Sequence, residues 1–140
     1  MKFLSAMYWR VPRLVEEVRG AHGDGSYLRL LKKIAKASVL VLDDWGLTAL
    51  TAQDRADLLE ILDDRVHARS TIVVSQLPVD AWHGYLGEPT VADAILDRLV
   101  HHSHRIRLAT SDSMRRQPPK CVRIRSFCRL RPQTAVAVGR

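Results

Sequence analysis

The run Val39-Leu40-Val41-Leu42-Asp43-Asp44 constrains this chain more than any other segment. Four apolar residues without alternation describe a strand buried on both faces, the pattern of a parallel sheet. In open α/β sheets, ligands collect beyond the carboxyl ends of such strands. Two adjacent carboxylates at that point are costly unless something uses their charge. A Mg²⁺–nucleotide site does: one carboxylate orients the metal shell and its neighbour polarises a water. This is the shape of a Walker B motif. The same residues also read as a strand followed by an acidic turn, with Asp44 capping a local backbone donor.

The rest of the chain alternates strands and helices around that run. Phe3–Arg10 is apolar and aromatic enough for a strand, and Pro12 suits the first turn of a helix over Pro12–Arg19. The glycines from Gly20 to Gly25 suggest a loop. A second helix is expected from about Tyr27 to Ala35, with Leu28, Leu31 and Ile34 on one side. Thr51 reads as an N-cap, with Asp54 three residues on in a capping-box position. Its helix buries Leu58, Leu59, Leu62 and Val66 and exposes Asp57, Glu60, Asp63 and Asp64. Thr71–Ser75 is β-branched and ends before Pro78. Thr90 reads as the cap of a helix with stripes Val91-Ile95-Leu99 and Ala92-Leu96-Val100. Arg105–Leu108 alternates as a short strand. The expected class is α/β with a parallel sheet.

Charge divides the chain in two. Eight of the 22 basic residues and none of the 15 acids lie from Arg115 onward, leaving about −1 on Met1–Met114. The body is near neutral and the tail strongly basic. Such a tail can neutralise nucleic-acid phosphates without sequence preference, or stay solvated and disordered. No apolar run approaches the ~20 residues of a membrane helix, and the first residues lack a convincing secretory signal. A cytoplasmic location is expected. Cys121 and Cys128 make neither a disulfide framework nor a zinc site.

Two tempting motifs fail on chemistry. Gly20 to Gly25 reads G-x-x-G-x-G, but a phosphate loop needs Lys and then Ser/Thr after its last glycine, and here Ser26 and Tyr27 follow. No other segment offers Gly-Lys-Ser/Thr, so Walker A is absent from the sequence. His101, His102 and His104 do not converge, because adjacent helical residues point about 100° apart. They suit a helix C-terminus better than a metal.

The segments VLVLDDWGLTALTAQDRADLLEILDDR and STIVVSQLPVDAWHGYLGEPTVADAILDRLVHHSHRI, with the closing SMRR, together resemble the IstB-like ATP-binding proteins. These are AAA+ helpers of insertion-sequence transposition, related to bacterial helicase loaders. The resemblance runs from about Arg10 to Arg116 and covers the C-terminal two-thirds of the family. It implies a three-layer P-loop NTPase fold, Mg²⁺-ATP as ligand, and a transposase and DNA as partners. By the same resemblance Asp43 is the metal-side Walker B acid and Asp44 orients the attacking water. Ser75 and Gln76 match the sensor region, where a polar group can bond that water or the γ-phosphate. Arg98 matches the arginine that reaches a neighbouring subunit's nucleotide, which would require a homo-oligomer. Its helical neighbours Ala94, Ile95, His101 and His102 include no acid, which leaves the guanidinium without a local salt bridge. Arg115, in the terminal Ser-Met-Arg pattern, could approach phosphate.

The chain departs from the family in two ways. The upstream third is missing, and with it the phosphate-loop strand that lies between the equivalents of Thr71–Ser75 and Arg105–Leu108. That predicts a gap inside the sheet, with unpaired backbone groups on both sides, so that the remaining strands close up or the fold is only marginally stable. Nucleotide affinity is expected to fall heavily in either case. The tail from Gln117 to Arg140 is expected to be disordered, beyond a truncated domain over residues 1–116. Its abrupt change of composition would suit a truncated or frameshifted reading frame. Two functional expectations follow. One is a fragment of the ATP-binding transposition helper, with hydrolysis by this chain alone not expected. The other is an inert remnant that binds nucleic acid or a partner through its tail.

Overall fold

A computed structural model describes residues 4–100, 103–108 and 134–139. In chain order the elements are β1 (Ala6–Arg10), α1 (Val11–Asp24), α2 (Tyr27–Lys36), β2 (Val39–Trp45), α3 (Ala52–Asp63), β3 (Ser70–Ser75), α4 (Trp82–Leu86), α5 (Pro89–Val100), β4 (Ser103–Leu108) and β5 (Thr134–Gly139). The five strands form one sheet in the order β1-β2-β3-β5-β4, and every neighbouring pair is parallel. The α/β class and parallel sheet expected from the sequence are present.

The expected gap is not. β5 lies between β3 and β4, with Val73 level with Val136 on one side and Arg105 level with Val136 on the other. Residues 134–139 were expected in a disordered tail; they form the strand that closes the sheet. The physical reason is the one that made the gap costly: the facing edges of β3 and β4 need backbone partners, and a short segment rich in valine supplies them. Chain connections from β1 to β4 all advance in one direction across the sheet, and the step from β4 to β5 reverses it.

The core lies on one side of the sheet. Leu40 and Leu42 of β2 and Val73 of β3 pack with Val11, Leu14 and Val15 of α1, Leu31 and Ile34 of α2, Leu58 and Ile61 of α3, and Ile95 and Leu99 of α5. The opposite face carries Val39, Val41, Ile72 and Val74, all only half-buried, with Tyr8 and Ile106 exposed. Among the described residues no helix covers that face, although a parallel sheet is ordinarily covered on both. This explains why β2 reads as a continuous apolar run yet alternates in burial.

Several local expectations need correction. The Gly20–Gly25 segment is not a loop: α1 continues to Asp24, and only Gly25 leaves the helix, at φ 74. Glycine weakens a helix but does not end it, whereas the left-handed cap position favours it. Leu28 is exposed, and Asp57 is buried. Asp57 accepts hydrogen bonds from Tyr27 Oη (3.1 Å) and Gln53 Nε2 (3.0 Å) and contacts His22 Nε2 (3.0 Å), which ties α1 and α2 to α3. At α5 it is Glu88, not Thr90, that receives the first-turn N–H groups, from Thr90 (3.2 Å) and Val91 (2.7 Å). The capping box of Thr51 and Asp54 is present as expected. His101, His102 and Arg115 lie outside the described residues.

Candidate functional site

Parallel pairing brings the ends of β2, β3 and β5 to one edge of the sheet. The paired acids stand at that edge. β2 continues through Asp43 and Asp44 to Trp45, and its register against β3 slips between Leu42 and Trp45. The irregularity coincides with Asp44, whose φ of 58° lies in the left-handed region. Aspartate tolerates that region better than most residues, at some cost in strain. Gly46 follows at φ 93, where a Cβ would meet Leu77 Cδ2 at 3.0 Å. The turn after the acids therefore needs a glycine for both its conformation and its close approach to the β3 exit.

Both carboxylates are held by the outer strand β1. Tyr8 Oη donates to Asp43 Oδ2 at 2.6 Å. Arg10 Nε forms a hydrogen-bonded ion pair with Asp44 Oδ2. The Asp43 hydrogen bond raises the Tyr8 phenol's pKa, and the Asp44 contact raises that of the Arg10 guanidinium. Arg10's side chain is 58% exposed, so the pair is open to solvent on the arginine side. Asp43 Oδ1 also accepts the Asp44 N–H at 2.8 Å. The local capping role that the sequence suggested for Asp44 thus falls to Asp43.

The sensor candidates part company. Ser75 is buried, its hydroxyl donating to Trp45 O (2.8 Å) and accepting the Leu77 N–H (3.0 Å). It fastens the end of β2 to the turn after β3. Alternation along the strands puts Ser75 on the helix-covered face and Asp43 on the other. Gln76, the next residue, is exposed at the same edge. Behind them, Trp45 packs on Trp82 and Tyr85 at ring separations of 5.4 and 6.1 Å. Tyr85 Oη donates to Thr48 O at 2.8 Å, and burial pushes its pKa up to about 12.

Arg98 is not a free cation. Its Nε pairs with Asp63 of α3, and its Nη1 donates to Ala94 O at 2.7 Å. Asp63 is 35 residues away in sequence, outside the three- and four-residue spacing of Arg98's own helix. α3 ends just before β3 begins, and α5 just before β4. The pair therefore sits toward the amino edge of the sheet, opposite the carboxylates, and this chain does not bring Arg98 to Asp43 and Asp44.

Carboxylate oxygens are the donors Mg²⁺ prefers, and Mg²⁺ commonly keeps several waters while binding one or two carboxylates and substrate phosphates. Asp43 and Asp44 fit that habit. No group of three or more His, Cys, Asp or Glu that could hold a metal alone occurs among the described residues. The donor set suits a metal that arrives with a phosphate ligand, not a self-sufficient protein cage. Tyr8 and Arg10, which sequence reasoning did not single out, are the groups that would have to yield. They meet the acids only through the β1–β2 register, which no local pattern in the sequence reveals.

A parallel α/β sheet with paired acids at the carboxyl end of an interior strand is consistent with a partial P-loop NTPase fold. Comparison with known proteins identifies the family. The IstB-like ATP binding protein family matches residues 3–120, and the chain belongs to it. It is similar to the insertion sequence ATP-binding protein y4pL of Sinorhizobium fredii (strain NBRC 101917 / NGR234), at 57% identity over 80% of this chain and 45% of that protein. It also resembles the ATP-binding protein of insertion sequence IS1162 from Pseudomonas fluorescens, at 61% over 53% of this chain and 32% of that one. A third relative is the insertion-sequence ATP-binding protein Rv3427c of Mycobacterium tuberculosis (strain ATCC 25618 / H37Rv), at 33% over 69% of this chain and 39% of that protein. The chain spans less than half the length of these curated relatives. No helix among the described residues is long and apolar enough to cross a membrane.

Proposed function

We propose that this chain is the Walker B-bearing portion of an ATP-binding AAA+ helper of insertion-sequence transposition, acting in the cytoplasm with a transposase and DNA. The observation that carries the reading is the position of Asp43 and Asp44: adjacent carboxylates at the carboxyl end of β2, inside a parallel sheet. In this reading Asp43 takes the metal side and Asp44 the attacking water. Gln76 serves as the sensor side chain, because the Ser75 hydroxyl is already engaged by backbone. Arg98 acts on the nucleotide of a second copy, after leaving Asp63. Arg115 approaches phosphate. Bound Mg²⁺-ATP would supply the phosphoryl group and the charge that these residues are arranged to meet. Hydrolysis by this chain alone is not expected, since it contains no Gly-Lys-Ser/Thr to hold the phosphates.

One observation favours a second reading. Arg10 already neutralises Asp44, as expected of a catalytically inert remnant that works through partner or nucleic-acid contacts alone. Calorimetric titration of the full chain with Mg²⁺-ATP separates the two. Weak binding is the expected result, since the phosphates lack their loop; Asp43→Ala should abolish it, and micromolar affinity lost in that variant would support the first reading most strongly. Absence of any heat at millimolar nucleotide would transfer the chain to the second reading.

A further inference from the structure

We propose that the exposed face of α2 is a docking surface for the phosphate backbone of duplex DNA. Arg29, Lys32, Lys33 and Lys36 are all exposed. Their spacing of three, four and seven residues puts them on one side of the helix, as a row about 10 Å long. They line one shallow depression together with Asp24 and Leu28. Asp24 accepts the Ser26 N–H at 2.8 Å, at the N-terminal end of the row. None of the ion pairs among the described residues engages the four cations.

The row is not explained by the needs of the helix. α2 contains no acid, so its neighbours at three and four residues repel one another. Lysines near a helix C-terminus can serve its free carbonyls. Here buried Arg65 already serves two carbonyls at that end, donating through Nη1 to Ile34 O (2.7 Å) and Ala37 O (2.9 Å). Nor does the row reflect a generally basic body, since Met1–Met114 carries about −1. The charge is concentrated on one helix, and that helix is held firmly. Leu31 and Ile34 are buried on its other side, and Tyr27 Oη donates to Glu60 Oε2 at 2.7 Å.

A polyanion of regular spacing complements such a row. Duplex DNA carries one charge per ~3.4 Å of helix axis on each strand, so a row of about 10 Å set along the axis spans the rise of about three phosphates. Phosphate contacts of this kind carry no sequence information. The surface therefore positions the protein on DNA without choosing a site.

The proposal rests on DNA being a partner, and its test uses no nucleotide, so a failed Mg²⁺-ATP titration leaves it intact. The full chain is titrated against a short fluorescein-labelled duplex by anisotropy over a range of salt concentrations. Replacing all four cations (Arg29→Gln, Lys32→Gln, Lys33→Gln, Lys36→Gln) is expected to weaken binding tenfold or more, and to make the log–log salt dependence shallower by about 3. The melting temperature should not fall. A double variant, Lys32→Gln with Lys36→Gln, should give about half the change in slope, and it serves if the fourfold variant unfolds. Binding by the fourfold variant within about twofold of the parent, at unchanged slope, would overturn the proposal. DNA binding would then lie in the tail, and Arg123→Gln, Arg125→Gln, Arg129→Gln and Arg131→Gln together would abolish it. Loss of binding to phosphatidylserine vesicles alone, with DNA binding retained, would overturn it in favour of a membrane surface.

Discussion

Asp54 shows how much a single side chain can join. Its Oδ2 accepts the Thr51 N–H at 2.6 Å while its own N–H reaches Thr51 Oγ1 at 3.2 Å, which closes the cap of α3. Arg19 of α1 grips the same carboxylate through Nε (2.8 Å) and Nη2 (2.5 Å). Arg19 foremost, with Thr51, holds the Asp54 pKa down to about 2. A depressed carboxylate stabilises the fold above its unfolded value near 4, and the stabilisation is lost as pH falls toward its folded value. Asp54→Asn should therefore cost about 2 kcal/mol near neutrality. The difference from the parent should shrink as pH drops from about 4 to about 2. Urea denaturation followed by circular dichroism across that range checks both the size and the window. The sequence revealed half of this arrangement. The Thr51–Asp54 spacing is local and readable, whereas Arg19 is 35 residues from Asp54 and meets it only through the packing of α1 on α3. The same limit hid Asp63 from Arg98, and Tyr8 and Arg10 from the paired acids.

Among the elements, α2 and β3 depend on one buried residue that neither contains. Arg65 lies in the connection between α3 and β3, almost fully buried, and burial lowers its pKa to about 10. Besides capping α2, it donates from Nη2 to Ser70 O (2.5 Å) and from Nε to Thr71 Oγ1 (3.2 Å) at the start of β3. No carboxylate faces it in these contacts; four oxygens with partial charge share one guanidinium. Arg65→Leu would leave three carbonyls without this donor in a dry site, at a cost of about 3 kcal/mol. Arg65→Lys should recover only part of that, because an ammonium lacks the planar fork. The urea midpoints of the two variants, compared with the parent, measure it. Nothing at residue 65 marked this role in the sequence. Apolar runs and period announced where α2, β2 and β3 lie, but not what fastens them together.

At the scale of the molecule, the least legible feature is β5. Ala135-Val136-Ala137-Val138 sits in a basic, proline-containing tail, and no short-range signal says which strands it would join. The resemblance did locate a vacancy, between the strand ending at Ser75 and the strand ending at Leu108, and it foresaw the cost of leaving that vacancy open. The fold fills it with chain from the other end of the sequence, parallel to both neighbours. A strand paired on both sides makes a sharp demand that a solvated tail does not. Val136→Pro would remove a backbone donor and set a ring against the ladder in the sheet interior. If β5 closes the sheet, this substitution should lower the melting temperature by about 5 °C or more. In the parent protein, the amides of Val136 to Val138 should exchange with solvent orders of magnitude more slowly than unstructured ones. An unchanged melting temperature together with unprotected amides would mean that β3 and β4 present open edges. The body would then be the gapped sheet that the sequence alone describes.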